Sequence, residues 1–94
     1  MTVTRRLRVH GRVQGVGFRA FVWREAGALG VSGWVRNRVD GTVEALVIGD
    51  DATVELLVER IRSGPSFGRV DRLEISDVTD GIEPMTGFSI RRDR

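Results

Sequence analysis

The chain has 94 residues, of which 40% are hydrophobic and 30% charged, with one histidine and no cysteine. This length allows one domain with one modest core, and the composition is too apolar for a disordered chain. Without cysteine the chain has no disulfide, thiolate metal site or cysteine nucleophile, and His10 alone excludes a histidine-rich metal site. All 15 basic residues are arginine, spread from Arg5 to Arg94, and the net charge is only +2. A nucleic-acid-binding face would gather them on one surface, so we expect no nucleic-acid partner.

The sequence shows neither an N-terminal export signal nor a membrane-spanning segment. Residues 1–8 carry charge but no apolar segment, so they do not resemble a secretory signal. No apolar run approaches the length that spans a bilayer. We therefore expect a cytoplasmic protein without a membrane partner.

The first half of the chain shows a strand, a glycine loop and a helix. Apolar residues alternate with charged ones from Leu7 to Val13, which predicts a half-buried strand. Two glycines interrupt the pattern between Gln14 and Gly17. Helical spacing then runs over 18–29, and Gly30 ends it as a C-terminal cap.

The second half completes an alternating order of elements. Strands are predicted over 31–39 and 42–48, with the Asp40-Gly41 hairpin signal between them. A second helix follows, capped by Asp50 or Asp51, stopped at Gly64, and buried through one apolar face: Val54, Leu57, Val58 and Ile61. A fourth strand falls within 69–78 with Leu73 and Ile75 inward, then a loop over 80–86 and a short strand at Phe88 and Ile90.

This order is that of a ferredoxin-like, split βαβ α+β sandwich, βαββαβ with a short terminal strand. It requires an antiparallel sheet with two helices on one face. We expect a single domain over residues 1–94, with its core at about 7–91.

The glycine loop is the first candidate site. Backbone N–H groups in such a turn, and those at a helix N-terminus, can converge on an anion. Arg19 lies in the first helical turn, where a cation opposes the helix dipole unless an anion sits between them. The local pattern alone is equally typical of an ordinary strand–helix turn with a solvated arginine.

Asn37 is the second candidate. It shares the parity of the apolar residues Val31, Val35 and Val39, so its amide lies on the apolar side of the strand and needs partners. The local pattern leaves open that Asn37 only supports the hairpin at Asp40-Gly41.

The topology joins the two candidates. In a split βαβ the first two strands are parallel, so their carboxyl ends, with the glycine loop and Asn37, meet at one edge of the sheet. Arginine suits this edge because its planar guanidinium binds phosphate oxygens bidentately. Neither motif offers an acid or base, so the leaving group must depart unaided. A carboxylate does so, since its conjugate acid has a pKa of about 4, and an acyl phosphate fits best.

Two segments resemble the signatures of the acylphosphatase family. Residues 9–19, VHGRVQGVGFR, resemble the first, and residues 33–49 resemble the second, with Asn37, Gly41, Val43 and Gly49 in place. The resemblance covers about residues 7–91. It differs at Arg38, where smaller or uncharged residues are frequent; its parity is opposite to that of Asn37, so we expect it to point away.

The resemblance implies an enzyme that hydrolyses the carboxyl–phosphate bond of small acyl phosphates. Arg19 and Asn37 would be its catalytic residues: Arg19 binds the phosphate and Asn37 orients the attacking water. The rest of the phosphate site would come from the loop: Gln14, Gly15, Val16, Gly17 and Phe18. The resemblance implies no metal, no cofactor and a monomer.

Two alternatives remain at this stage. RNA-recognition modules share the topology, but they present stacking aromatics on the first and third strands, where this chain has Arg8, His10, Glu44 and Leu46. The other alternative is a regulatory or interaction domain that binds an anion without turnover.

Overall fold

Five strands form one sheet in the computed structural model, which describes residues 1–79 and 85–94. The sheet order is β4-β1-β3-β2-β5. The elements are β1 (Thr2–Arg12), α1 (Phe18–Leu29), β2 (Ser32–Asn37), β3 (Val43–Asp50), α2 (Asp51–Ser63), β4 (Arg69–Asp77) and β5 (Phe88–Ile90). Both helices pack against one face, which confirms the ferredoxin-like α+β prediction. Residues 80–84 of the predicted loop lie outside the described residues.

The sheet is mixed, which refines the expectation of an antiparallel one. β3 pairs antiparallel with β1 and β2, and β4 pairs antiparallel with β1. β5 instead pairs parallel with β2, with Gly33 opposite Phe88 and Val35 opposite Ile90. Two strands that run the same way on neighbouring positions can pair only in parallel, and a three-residue terminal strand gives no sequence signal for its direction.

The helices begin and end where their local signals predict. α1 ends at Gly30, whose φ of 71° is left-handed, and Val31 N–H donates to the Ala26 carbonyl at 3.0 Å. Asp50 caps α2 by accepting the Ala52 N–H at 3.3 Å. The predicted buried face of α2 is confirmed: Val54, Leu57, Val58 and Ile61 are all buried. Within the described residues, no helix is both long and apolar enough to cross a membrane.

Two side chains that the sequence places on the apolar side of a strand are exposed in the structure. β2 ends at Asn37, and Val39 is 91% exposed, because the chain already turns into the hairpin there. On β4, Leu73 packs partly buried against the core as predicted, but Ile75 is 43% exposed. Ile75 lies opposite the buried Leu7, so it shares the helix-bearing face. β4 is the edge strand, and the helices do not cover this part of it.

The face of the sheet without helices gathers arginines around Glu44, which is 4% exposed. Arg36 Nη2 lies 2.7 Å from its carboxylate and Arg38 Nη1 3.3 Å. Arg6 and Arg8 approach to 3.5 and 3.9 Å. Four arginines distant in sequence therefore share one carboxylate, which the sequence did not indicate.

We predict that Glu44→Gln lowers the free energy of unfolding by about 3 kcal/mol, because it leaves clustered cations without their buried counter-ion. Urea denaturation measures the change. Glu55→Gln is the matched control: Glu55 also pairs with an arginine, Arg5, at 2.6 Å, but its side chain is 62% exposed. That exposed pair should contribute no more than about 1 kcal/mol. Equal losses in the two variants would contradict a special role for Glu44.

Candidate active site

The loop between β1 and α1 has a backbone shape suited to anions. Gly15 and Gly17 have φ angles of 72° and 77°, and among residues 1–79 and 85–94 no non-glycine residue has a positive φ. The φ sign therefore alternates across Gly15, Val16 and Gly17. Alternation of this kind turns successive N–H groups toward one concavity. Only glycine adopts these positive angles without steric cost.

The N-terminus of α1 adds further unpaired donors. Its N-cap is Gly17, which offers no side-chain acceptor, and the first turn contains no acidic residue. The first intrahelical bond runs from Phe21 N–H to the Gly17 carbonyl at 3.0 Å, so earlier amides have no helical partner. α2 differs, because Asp50 caps it and Asp51 lies in its first turn. The chain thus caps one helix and leaves the other open to an anion.

A cavity of about 230 Å³ lies at this helix start. It is lined by Val13, Gly15, Gly17, Phe18, Arg19, Ala20, Asn37 and Ile90. The loop after β1 and the end of β2 therefore meet at one edge, as the topology predicts. The cavity brings together backbone donors, a guanidinium and a carboxamide, and its other walls are mainly apolar.

Arg19 extends from the first turn of α1 to the C-terminal segment. Its Nη1 lies 2.9 Å from Asp93 Oδ1. The Arg19 side chain is 37% exposed and that of Asp93 60%, so the pair contributes at most about 1 kcal/mol to stability. Its main effect is geometric: Asp93 engages one nitrogen of the guanidinium, which keeps its other donors available.

Asn37 is 8% exposed, and its Oδ1 accepts no hydrogen bond from the described residues. The hairpin is held by other groups. Gln14 Nε2 donates to the carbonyls of Arg38 and Thr42 at 2.7 and 2.8 Å. Asp40 accepts from the Thr42 hydroxyl and N–H, which lowers the pKa of its carboxyl. The Asn37 amide therefore faces the cavity without a structural task in the hairpin.

The predicted site residues divide into two groups. Gly15, Gly17, Phe18, Arg19 and Asn37 line the cavity, whereas Gln14 and Val16 do not. The Gln14 side chain ties the loop to the hairpin, and Val16 packs against the core. Arg38 points to Glu44 on the open face, away from the cavity, as its parity predicted.

Sequence reasoning missed four residues near the site: Val13, Ala20, Ile90 and Asp93. Val13 and Ala20 adjoin the loop, so their positions were available from chain proximity. Ile90 and Asp93 come from the other end of the chain. No local pattern marks them, because only the pairing of β5 with β2 brings them close.

Comparison with known proteins agrees with this geometry. The profile of the family described as Acylphosphatase matches residues 5–90. The chain belongs to the acylphosphatase family. An acylphosphatase of Thiobacillus denitrificans is 49% identical over 90 residues, 96% of this chain and 98% of that one. One of Thermococcus kodakarensis is 51% identical over 85 residues, 89% and 90% of the two chains.

A solved acylphosphatase structure from Bacillus subtilis superposes with a TM-score of 0.89 at 40% identity. The alignment covers 97% of this chain and 99% of that one. Acylphosphatase activity on small acyl phosphates follows from this membership and confirms the activity predicted from the sequence.

We predict that Gly15→Val raises the Michaelis constant of the acylphosphatase at least tenfold while the helices and sheet persist. A β-carbon at φ 72° costs roughly 1–2 kcal/mol, so the loop would relax away from the alternating shape. The measurements are steady-state kinetics and circular dichroism.

Gly30→Val is the matched control, because Gly30 has a φ of 71° and equally open space around it. Gly30 lies at the far end of α1. The control should lose similar stability and keep its Michaelis constant. Normal phosphate binding in folded Gly15→Val would count against the anion cradle.

Proposed function

We propose that the cavity at the start of α1 is the catalytic site, with Arg19 and Asn37 as its catalytic residues. The observation that supports this most directly is the meeting of three groups in one cavity: the unpaired N–H groups of the loop and helix, the Arg19 side chain and the Asn37 carboxamide. Each group matches one demand of phosphoryl transfer to water.

The phosphate of the substrate binds at the loop from Gly15 to Arg19. Backbone N–H groups donate to its oxygens, and the positive end of the α1 dipole favours its charge. Arg19 adds charge-assisted hydrogen bonds from the donors that Asp93 does not engage. These contacts strengthen as charge redistributes on the phosphoryl oxygens in the transition state.

Asn37 orients the attacking water. Its buried Oδ1 has no protein partner among the described residues, so it can accept a hydrogen bond from that water. The water oxygen forms a bond to phosphorus as the bond from phosphorus to the carboxylate oxygen breaks. A water proton passes to a phosphate oxygen, and the products are a carboxylate and inorganic phosphate.

No general acid is needed at this site because the leaving carboxylate is a weak base, with a conjugate-acid pKa of about 4. The described cavity lining agrees, since it contains no carboxylic acid, histidine or cysteine. A phosphate monoester would instead leave as a strongly basic alkoxide. The absence of a general acid from the described lining therefore favours acyl phosphates over phosphate monoesters as substrates.

We predict that the wild-type chain releases phosphate from benzoyl phosphate and not measurably from a simple alkyl phosphate. Activity should survive a strong chelator at neutral pH, because the sequence offers a single histidine and no cysteine for a metal site. Phosphate release assays with and without chelator give the answer. Loss with chelator and recovery with a divalent ion would overturn the mechanism.

A pair of substitutions separates the two catalytic residues. Arg19→Gln should weaken phosphate binding and lower turnover, because Arg19 contacts the phosphate in both the ground and transition states. Asn37→Ala should leave phosphate binding nearly intact and lower turnover about a hundredfold, the scale for removing one positioned polar group. Calorimetry with phosphate and turnover on benzoyl phosphate measure the two effects.

Asn37→Ala is expected to fold, because the hairpin bonds run through Gln14 and Asp40. Folding is checked first by circular dichroism. Near-normal turnover of the folded variant would show that Asn37 does not orient the water. Competitive inhibition by inorganic phosphate should be retained in Asn37→Ala and weakened in Arg19→Gln.

We also propose that residues 1–94 act as one domain and as a monomer, with a small molecule as the only partner. The open face supports the absence of a nucleic-acid partner, because its Trp34 is only 5% exposed and lies beneath Arg36 and Arg91. Light scattering should give the mass of one chain. Single-stranded RNA at low salt should not change its electrophoretic mobility in the presence of the protein. A dimer mass or a salt-dependent shift would contradict these assignments.

A further inference from the structure

The connection between α2 and β4, residues 64–68, lies beside the loop that precedes α1. The Gly68 N–H donates to the Pro65 carbonyl at 3.1 Å, which closes the connection as a tight turn. β4 pairs antiparallel with β1, so Arg12 at the end of β1 lies opposite Arg69 at the start of β4. This pairing brings the α2–β4 turn to the edge of the sheet that carries the proposed phosphate site.

Gly68 is enclosed by residues before, within and after that loop. A β-carbon there would lie 3.1 Å from the Arg12 carbonyl oxygen, 3.5 Å from Val16 Cγ2 and 3.6 Å from Phe18 Cδ2. The φ angle of Gly68 is not left-handed, so crowding rather than backbone strain resists a side chain at this position. Any side chain at Gly68 would therefore press on the end of β1 and on the loop.

Phe67 lies next to the second glycine of the loop. A β-carbon at Gly17 would lie 3.6 Å from Phe67 Cε2, which is ordinary van der Waals contact. The Phe67 side chain is 54% exposed, so it contributes less to the core than a buried phenylalanine does. Its ring instead limits the space into which the backbone of Gly17 can move.

The turn contacts the loop without entering the space proposed for the phosphate. Gly15 and Gly17 line the cavity at the start of α1, and neither Phe67 nor Gly68 is among the described residues of its lining. Val16, between the two glycines, is also absent from that lining and packs against the core. The turn can therefore act on the shape of the loop but not directly on the substrate.

We propose that the α2–β4 turn supports the phosphate-binding loop, with Phe67 and Gly68 as its positioning residues. This inference rests on the proposed phosphate site. Glycine has more backbone freedom than any other residue, so a loop built on Gly15 and Gly17 is costly to order. Packing that holds the loop in its binding shape removes that cost from the binding step.

The first test is Phe67→Ala. The Michaelis constant for benzoyl phosphate and the competitive inhibition constant of inorganic phosphate should rise together, by about fivefold, because both report the loop. The value of kcat should change less than about twofold, since Arg19 and Asn37 keep their places in the cavity. Phe67→Leu keeps an apolar side chain beside Gly17 and should recover most of the lost phosphate affinity.

Leu56→Ala is the matched control. Leu56 lies on α2 and is 47% exposed, so its truncation removes a comparable half-exposed apolar side chain. Thermal unfolding should show similar losses of stability in Leu56→Ala and Phe67→Ala. Only Phe67→Ala should weaken the inhibition by phosphate, because a merely structural role would change stability and leave the inhibition constant unaltered.

The second test is a graded series at Gly68. Gly68→Ala should raise the phosphate inhibition constant about threefold and Gly68→Val at least about tenfold, because small displacements of binding groups have large effects. Gly49→Ala is the control: a β-carbon at Gly49 would lie 3.5 Å from Val54 Cγ2 and its φ is also not left-handed. Gly49 pairs with Val3, toward the end of β3 that is remote from the loop. This control should keep the wild-type inhibition constant.

The outcomes separate the inference from the proposed function. If Phe67→Ala keeps the wild-type inhibition constant, or rises no more than Leu56→Ala, the turn is only structural and the inference is overturned, while wild-type turnover still supports the site. A rise in the Michaelis constant without a rise in the phosphate inhibition constant also overturns it, because Phe67 would then contact the acyl group. No turnover, or no competitive inhibition by phosphate in the wild type, overturns the phosphate site and the inference with it. Should Gly68→Val fail to fold, the Phe67 variants still decide the question.

Discussion

The position of β3 between β1 and β2 is the constraint on which the active site depends. β3 pairs antiparallel with both neighbours, so β1 and β2 run in the same direction and their carboxyl ends lie at one edge. The loop after β1 carries the backbone that we propose binds the phosphate, and the last residue of β2 is Asn37. Both helices cover the same face and bury the core beneath them. The core therefore fixes the position of this loop relative to Asn37.

The two helices differ at their N-termini, and the uncapped one adjoins the proposed site. α2 has Asp50 at its N-cap, whereas α1 has Gly17 there and Arg19 in its first turn. A cation at that position costs about 0.3–1 kcal/mol against the helix dipole, and Asp93 offsets part of this cost. An anion bound between the dipole and the guanidinium would relieve the rest. The arrangement is slightly unfavourable in the absence of an anion, so a bound anion would gain the free energy of relieving this repulsion.

Arginine occurs in three different settings in this chain. Around Glu44 four arginines share one buried carboxylate and cover the open face of the sheet. At α1 a single arginine, Arg19, lines the cavity that we propose binds the phosphate. In the segment after β5, Arg91, Arg92 and Arg94 form no ion pair within the described part of the chain.

The sequence by itself determined most of the elements and the fold class, and it named the central residues of the candidate site. Helix bounds, caps and the buried face of α2 follow from side chains within one or two turns of each other. Such local signals can be identified from the sequence alone. The glycine loop, Arg19 and Asn37 could be joined because the order of elements fixes the sheet topology. Family membership followed from the same two motifs.

Only the tertiary structure decided the contacts between distant segments. Arg19 and Asp93 are 74 residues apart, and they meet because β5 pairs parallel with β2. The exposure of Ile75 on β4 and the sharing of Glu44 by arginines of β1 and the β2 end also depend on contacts between segments distant in sequence. Periodicity shows which face of an element is apolar, but it does not show what covers that face or which charge lies opposite. Those properties depend on how edge strands and terminal segments pack, and packing is set by the whole chain.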